Sequence, residues 1–522
     1  MPSCSAFHHQ CRALSAAIFK GDANRTDYPT VPWGEHWLHL YDGELDVTTA
    51  EATYNMARDV YQEFSKLPIS FSRPWFYSGT IVAGPAEFVD CADRADTLTG
   101  VCKDLVVCTV EASTNNAFIQ NHLGGTGIVL VQFSDELFVE LAKGTCNVIT
   151  GNANMLYESR ARNAGYTGEY VFSGVLHAKE PLTMVSRGDD PEWADFVNSL
   201  LQALFTAELE QITSENATLF PQTQLFGDDY KDMFRHAIGA VGNWGQVYDR
   251  MYMAFDETEF GRRAPVNRLN LRGENSKNRT GLLFAPPFAD LKFDPDFRDE
   301  IGPTPVFNGT LERTHKQGSL RCGIIPNRPG FANLINDTWT GMDCDLCRCV
   351  GYALFDGEDK VEFVPLEDSM AGYSALASDV VDLLAGIPYS LQSDVSELTT
   401  GRGFSFSPRY FYDDIKGGQG DLALVTNQDE GQWSTFVRWI VYALIYAEEK
   451  GWSVATDALL MPTVDLFGPD YELMFQMIVL KMGHYGDLYE RNIQEWIPRG
   501  GSNQINNLTT PMIDPLPLSI FH

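Results

Sequence analysis

Two long segments carry apolar residues at helical spacing, DDPEWADFVNSLLQALFTAE (189–208) and DEGQWSTFVRWIVYALIYAE (429–448). Their apolar stripes predict helices that pack on a sheet. A third helical pattern, CSAFHHQCRALSAAIF (4–19), breaks at Lys20-Gly21-Asp22, and a fourth, TGMDCDLCRCVGYALF (340–355), breaks at Asp356-Gly357. Ahead of the fourth, LRCGIIPNRPGF (320–331) reads as a short apolar strand closed by Pro and Gly. Between 105 and 152 the pattern alternates. LVVCTV (105–110) and GIVLVQFS (127–134) predict strands, STNNAFIQNHL (113–123) a polar-capped helix, and DELFVELAKGTCNVITGN (135–152) a helix followed by a third strand. Strands alternating with helices predict a mostly parallel α/β sheet.

Much of this pattern occurs twice. LFGDDYKDMFRHAIGAVGNWGQVYDR (225–250) and LFGPDYELMFQMIVLKMGHYGDLYER (466–491) align without a gap and share Gly227/Gly468, Tyr230/Tyr471, Phe234/Phe475, Gly242/Gly483, Tyr248/Tyr489 and Arg250/Arg491. The repeat includes the two long helices, and it sets Cys11-Arg12 against Cys347-Arg348. It also sets LYDGELDVTTAEATYNMARD (40–59) against ALASDVVDLLAGIPYSLQSD (375–394), and ISFSRPWFYSG (69–79) against FSFSPRYFYDD (404–414). Such a register marks an internal duplication. The first copy then inserts about a hundred residues, whereas IKGGQGDLALVTNQ (415–428) in the second is too short for a βαβ unit. The first copy also begins inside its first helix, so the strand matching 320–331 is expected to be missing.

With 522 residues, 44% of them hydrophobic and 12% aromatic, the chain is expected to form several compact units. A formal charge of −32 argues against nucleic acid or an anionic membrane as partner, because the basic surface they need is absent. No apolar run is long enough to cross a bilayer, and Met1 to Phe19 makes a poor signal peptide. Ten cysteines and six Asn-X-Ser/Thr sites at Asn24, Asn216, Asn278, Asn308, Asn336 and Asn507 point to an extracytoplasmic chain, secreted or periplasm-like, its targeting segment not present here; an organelle lumen is the alternative. Cys344-x-x-Cys347-x-Cys349 is metal-like but lacks a second ligand pair, so no metal or cofactor is expected. His36 and His39 read as part of a solvated helix face. No nucleophile elbow, phosphate loop or catalytic triad order is present, and the chain reads as no enzyme.

WTGMDCDLCRCVGYALF, KEPLTMVSRGDDPEW (179–193), AVGNWGQVYDR (240–250), VNRLN (266–270) and GLLFAPPF (281–288) resemble the general amino-acid-binding proteins of bacterial ABC importers, solute-binding family 3. The resemblance implies α/β lobes of the periplasmic-binding-protein type II fold around a cleft, with the chain crossing between lobes twice. Mapped so, residues 1–82 plus 185–300 form lobe one of copy one, 83–184 lobe two, and 301–414 plus 429–522 a second lobe one whose lobe two is deleted. It implies disulfides Cys108–Cys146 and Cys322–Cys347; Cys91 and Cys102 flank a loop short enough for a third.

In the family an Arg twelve residues after the Asp of a lobe-one strand holds the ligand carboxylate; counted from Asp46 this is Arg58. Glu51 and Thr53 match further contact positions, and Ala112-Ser113-Thr114 replaces the family's Gly-Thr-Thr turn. The ammonium-binding Asp falls on Asn152, and in the second copy the Arg position falls on Asp394. Two readings follow. One is a module binding a small polar or anionic solute, such as an amino acid, with Arg58, Thr53, Glu51, Ser113, Thr114 and Asn152 in a single interlobe cleft. The other is a non-catalytic structural protein that has lost its ligand and self-associates, as a homo-oligomer or larger assembly.

Overall fold

The computed structural model describes residues 8–64, 69–252, 265–271, 281–288, 309–395, 403–414, 420–453, 457–464, 466–506, 508, 510–512 and 514. Its first sheet contains β1 (Thr48–Thr53), β2 (Ile69–Phe71), β3 (Phe76–Gly84), β4 (Val106–Val110), β5 (Gly127–Val131), β6 (Val148–Asn152), β7 (Val171–Phe172) and β8 (Ala178–Arg187). The order is β1-β8-β3-β6-β4-β5, with β2 beside β8 and β7 beside β3. Only β5-β4-β6 is parallel, so the expected mostly parallel sheet holds for the inserted segment alone. The reason lies in β3 and β8, which pair antiparallel from Phe76/Leu182 to Thr80/Ala178 as the chain enters and leaves that segment. Both strands are buried almost throughout.

A second sheet contains β9 (Leu320–Ile324), β12 (Val361–Pro365), β13 (Leu383–Pro388), β14 (Phe404–Phe406) and β15 (Leu422–Asn427), in the order β12-β9-β13-β15-β14. A hairpin of β10 (Asn333–Ile335) and β11 (Thr338–Thr340) stands apart. The set β13-β15-β14 has the pairing of β1-β8-β2; among the described residues the first sheet has no counterpart of β9 or β12.

The repeat is kept in detail. Helices Met233–Val241 and Trp244–Tyr252 bend at Gly242 (φ 79°), and helices Met474–Met482 and Tyr485–Asn492 bend at Gly483 (φ 80°). Only glycine enters this region freely. A Cβ there would also collide with the Gln246 or Asp487 side chain. Gly242→Ala and Gly483→Ala are therefore expected to cost about 1–2 kcal/mol each, in equal measure, by urea unfolding; a neutral result at either would show that the bend is not imposed by backbone sterics. Other bonds recur too. Trp193 Nε1 donates to Asp46 O at 2.8 Å and Trp433 Nε1 to Asp382 O at 2.7 Å, while Met184 N and Leu424 N donate to the Ser72 and Ser407 hydroxyls, each at 3.0 Å.

The two halves meet by exchanging chain segments. Leu282 N donates to Ser502 O and Met512 N to Val266 O, both at 2.9 Å. Asn506 Nδ2 donates to Gly281 O at 2.8 Å, and Asn270 Nδ2 to Pro511 O at 3.0 Å. Each half thus completes its partner with equivalent residues. Helix Met56–Phe64 packs on helix Gly431–Glu449, and helix Leu391–Val395 on helix Pro191–Leu209. Tyr54, Met56 and Val60 consequently share a core with Trp439 and Phe475, and Leu391 and Met512 share one with Phe205 and Trp244.

Disulfides join Cys91–Cys102, Cys108–Cys146 and Cys322–Cys347, with Cα separations of 5.5, 5.7 and 6.2 Å. Cys347 is thereby spent, and Cys344 and Cys349 remain buried thiols. Burial pushes the Cys344 thiol up to about 12. Of the Asn-X-Ser/Thr sites, Asn24 and Asn336 are exposed and Asn216 is half-buried; Asn278, Asn308 and Asn507 lie outside the described residues.

Candidate functional site

Where β1 ends, Asn55 caps the helix Met56–Phe64 by accepting from Arg58 N at 2.9 Å. This places Arg58 on the first turn, 4% exposed, with Nη1 donating to Thr53 O at 3.1 Å. Trp33 and Trp37 flank its guanidinium, their ring centres 5.8 and 5.5 Å from Cζ, contacts that favour a cation held from water. His36 belongs to this aromatic wall. Contrary to the expectation of a solvated face, it is 2% exposed and its Nδ1 meets Trp33 O. Burial pushes its pKa down to about 3, so it is neutral. His39 is the half-exposed member, 2.6 Å from Glu44.

From the opposite side come the turn after β4 and the end of β6. Ala112 has φ 53°, the left-handed conformation for which glycine is the unstrained choice. Ser113 caps the helix Thr114–His122, accepting from Asn116 N at 3.1 Å and donating to Val110 O at 2.6 Å. Its hydroxyl is thus committed to the cap. Asn152 Oδ1 accepts from Asn115 Nδ2 at 3.3 Å. Trp33 Nε1 donates to Ala112 O at 3.2 Å, tying the two walls together.

Between the walls lies a carboxylate that spacing rules did not point to. Glu180, in β8, is 1% exposed. Its Oε2 accepts from Thr114 Oγ1 at 3.0 Å and from Thr53 Oγ1, and Thr80 Oγ1 lies 2.8 Å from its Oε1 and 2.8 Å from Asn115 Oδ1. Burial raises the Glu180 pKa; the threonine hydroxyls and the Arg58 charge oppose that rise. Arg58, Thr53, Thr114 and Asn152 are therefore brought to one place around Glu180. The Glu51 side chain lies outside the described residues. A carboxylate next to the buried run Pro181–Val185 was the available signal for Glu180.

The second copy needs a register correction. Tyr54 OH donates to Asp59 at 2.9 Å, and Tyr389 OH to Asp394 at 3.1 Å. Asp394 is thus the equivalent of Asp59, and Ser393 is the equivalent of Arg58. The second copy is one residue shorter between Asp382 and Tyr389 than the first is between Asp46 and Tyr54, and this caused the offset. The arginine is still absent from that copy.

No protein-family model matches the chain. A putative amino-acid ABC transporter-binding protein of Escherichia coli is 26% identical over 295 residues, 53% of this chain and 81% of that protein. A glutamate/glutamine/aspartate/asparagine-binding protein of Rhodobacter capsulatus is 27% identical, over 53% of this chain and 82% of its own. A general L-amino acid-binding periplasmic protein of Rhizobium johnstonii is 25% identical over 298 residues, 53% and 81% of the two chains. Among solved structures, a periplasmic binding protein from Brucella ovis with glutathione bound aligns at 22% identity and TM-score 0.39, covering 47% of this chain and 79% of that one.

Proposed function

The chain is kin to the solute-binding proteins of bacterial amino-acid importers, and from that premise we propose that it is a non-catalytic binding module whose interlobe cleft takes a free amino acid. The buried Glu180 carboxylate beside Arg58 carries this reading. A zwitterion must exchange water for one cation and one anion. Arg58 with the Thr114 hydroxyl serves the ligand carboxylate, and Glu180 serves the ammonium, supplying the charge that Asn152 lacks. In this reading residues 1–82 plus 185–300 and residues 83–184 are the two jaws, β3 and β8 form the hinge, and 301–414 plus 429–522 brace the first jaw. The same relatives and the three disulfides support an extracytoplasmic setting.

A second reading is favoured by the threonine hydroxyls already bound to Glu180 and by the Trp33–Ala112 bond. In it the Glu180 carboxylate occupies the ligand's place, the cleft stays shut, and the protein serves assembly. Thermal unfolding of the full chain with each common amino acid at millimolar concentration separates the two. An amino acid at a hundred times its dissociation constant should add about 2.7 kcal/mol, and Arg58→Ala or Glu180→Gln should each weaken binding by about 2–4 kcal/mol. If wild type responds to none while Glu180→Ala is stabilised by acetate, the cleft is self-filled and the binding reading fails.

A further inference from the structure

A cavity of about 330 Å³ lies where the two halves meet; Tyr54 and Asp59 line it, and Arg58 does not. Its walls come from both copies, and their equivalence exposes what one side lacks. Around Asp59 the space is filled: Arg438 Nη1 lies 3.3 Å away, Trp439 Nε1 donates at 2.7 Å and Tyr54 OH at 2.9 Å. Asp394 keeps only the tyrosine of this set, Tyr389. In the aligned helices 189–208 and 429–448, the positions of Arg438 and Trp439 are held by Asn198 and Ser199. A guanidinium and an indole on one side are thus an amide and a hydroxymethyl on the other.

Acidic and accepting groups line that side of the cavity. Asp195 and Asp394 both line it, and Asp195 is held by Gln428 Nε2 at 2.7 Å. Gln202 also lines it; it is 1% exposed and its Oε1 has no hydrogen-bond partner among the described residues. Of the cavity's cations, Arg438 serves Asp59. Arg409 is paired with Asp421 at 2.8 Å and Asp514 at 2.7 Å. Arg73 stacks on the Tyr389 ring, 4.5 Å from its centre, and its charge partly offsets that of Asp394, leaving Asp195 without a cation of its own among the interactions described. We propose that this cavity is a second ligand site, taking an organic cation of the alkylguanidinium class whose head pairs with Asp394 and Asp195 and donates toward Gln202 Oε1, as Arg438 serves Asp59 in the other half. Burial and the Asp394 charge both raise the Asp195 pKa, a repulsion that a bound cation would relieve.

Agmatine is the probe, because it carries a guanidinium and no carboxylate for the Arg58 clamp. Titration calorimetry on the full chain at neutral pH is expected to show one agmatine bound. Asp394→Asn should weaken it by about tenfold or more. Asn198→Arg, which supplies the chain's own guanidinium at the position matching Arg438, should abolish it even if Asp394→Asn proves hard to purify. No binding at millimolar agmatine, or equal binding in wild type and both variants, overturns the proposal. So does binding lost in Arg58→Ala and kept in Asp394→Asn, which would put the cation in the interlobe cleft. Amino-acid binding can fail without touching any of these outcomes.

Discussion

Replacing Asp59 by alanine is expected to destabilise the protein by about 3–5 kcal/mol, the range for removing one partner of a buried ion pair. The Asp59 side chain is 5% exposed, beside Arg438, and it accepts from Tyr54 and Trp439. Its loss strands a cation and two donors at the junction, and burying unmatched charge costs more than the pair itself contributes. Since Asp59 lies in one half and Arg438 and Trp439 in the other, the damage falls on the joint between them. Urea unfolding followed by tryptophan fluorescence reads it. Asp59→Asn, which keeps an acceptor but not the charge, should fall between alanine and wild type. A cost below about 1 kcal/mol for alanine would mean that solvent already compensates Arg438.

The equivalent change in the other half should act in the opposite direction. Burial pushes the Asp394 pKa up to about 6, against the opposing Arg73 charge and the Tyr389 hydroxyl. With the folded value above the unfolded one, the proton is retained more strongly in the native state. Stability is therefore unimpaired below about pH 4, is lost as pH rises toward 6, and stays lower by a constant amount above that. Asp394→Asn removes the penalty and is expected to stabilise the protein by about 2–3 kcal/mol at neutral pH and by nothing near pH 3. Melting temperatures of both proteins across this range test it. If the variant is the less stable at neutral pH, the carboxylate is compensated in the native state and the account fails. A stabilising change that also removes agmatine binding is the trade expected where a charge is retained for a ligand.

The repeat made much of the fold readable. Matching Gly242 to Gly483 located two helix pairs with the same bend, because a positive φ leaves few choices of residue. The apolar patterns at 105–110 and 127–134 became β4, buried at its centre as such a run requires, and β5, a half-exposed edge strand whose β-branched residues still favour the pleat. Matching positions to the family the chain resembles had already named Arg58, Thr53, Thr114 and Asn152, residues that the fold sets near one another. Glu180 escaped because it reaches the cleft from β8, more than a hundred residues from Thr53, and no local period links them. His36 was misjudged for a related reason: a short helix carries too few positions to show which face is covered, and the Trp33 and Trp37 wall decides it. Counting twelve from Asp382 failed at Asp394 because one residue fewer between Asp382 and Tyr389 shifts a count but not a hydrogen bond such as Tyr389–Asp394.

The exchanged segments bear on how the chain is made. Val266 receives its bond from Met512, a residue synthesised long after it, once almost the whole second copy has been made. Until then the first half emerges with an uncovered seam. It must wait in a partly folded form, with holdase chaperones its natural company, and a nascent chain stalled after the first copy should be markedly more sensitive to protease than the same residues in the finished protein.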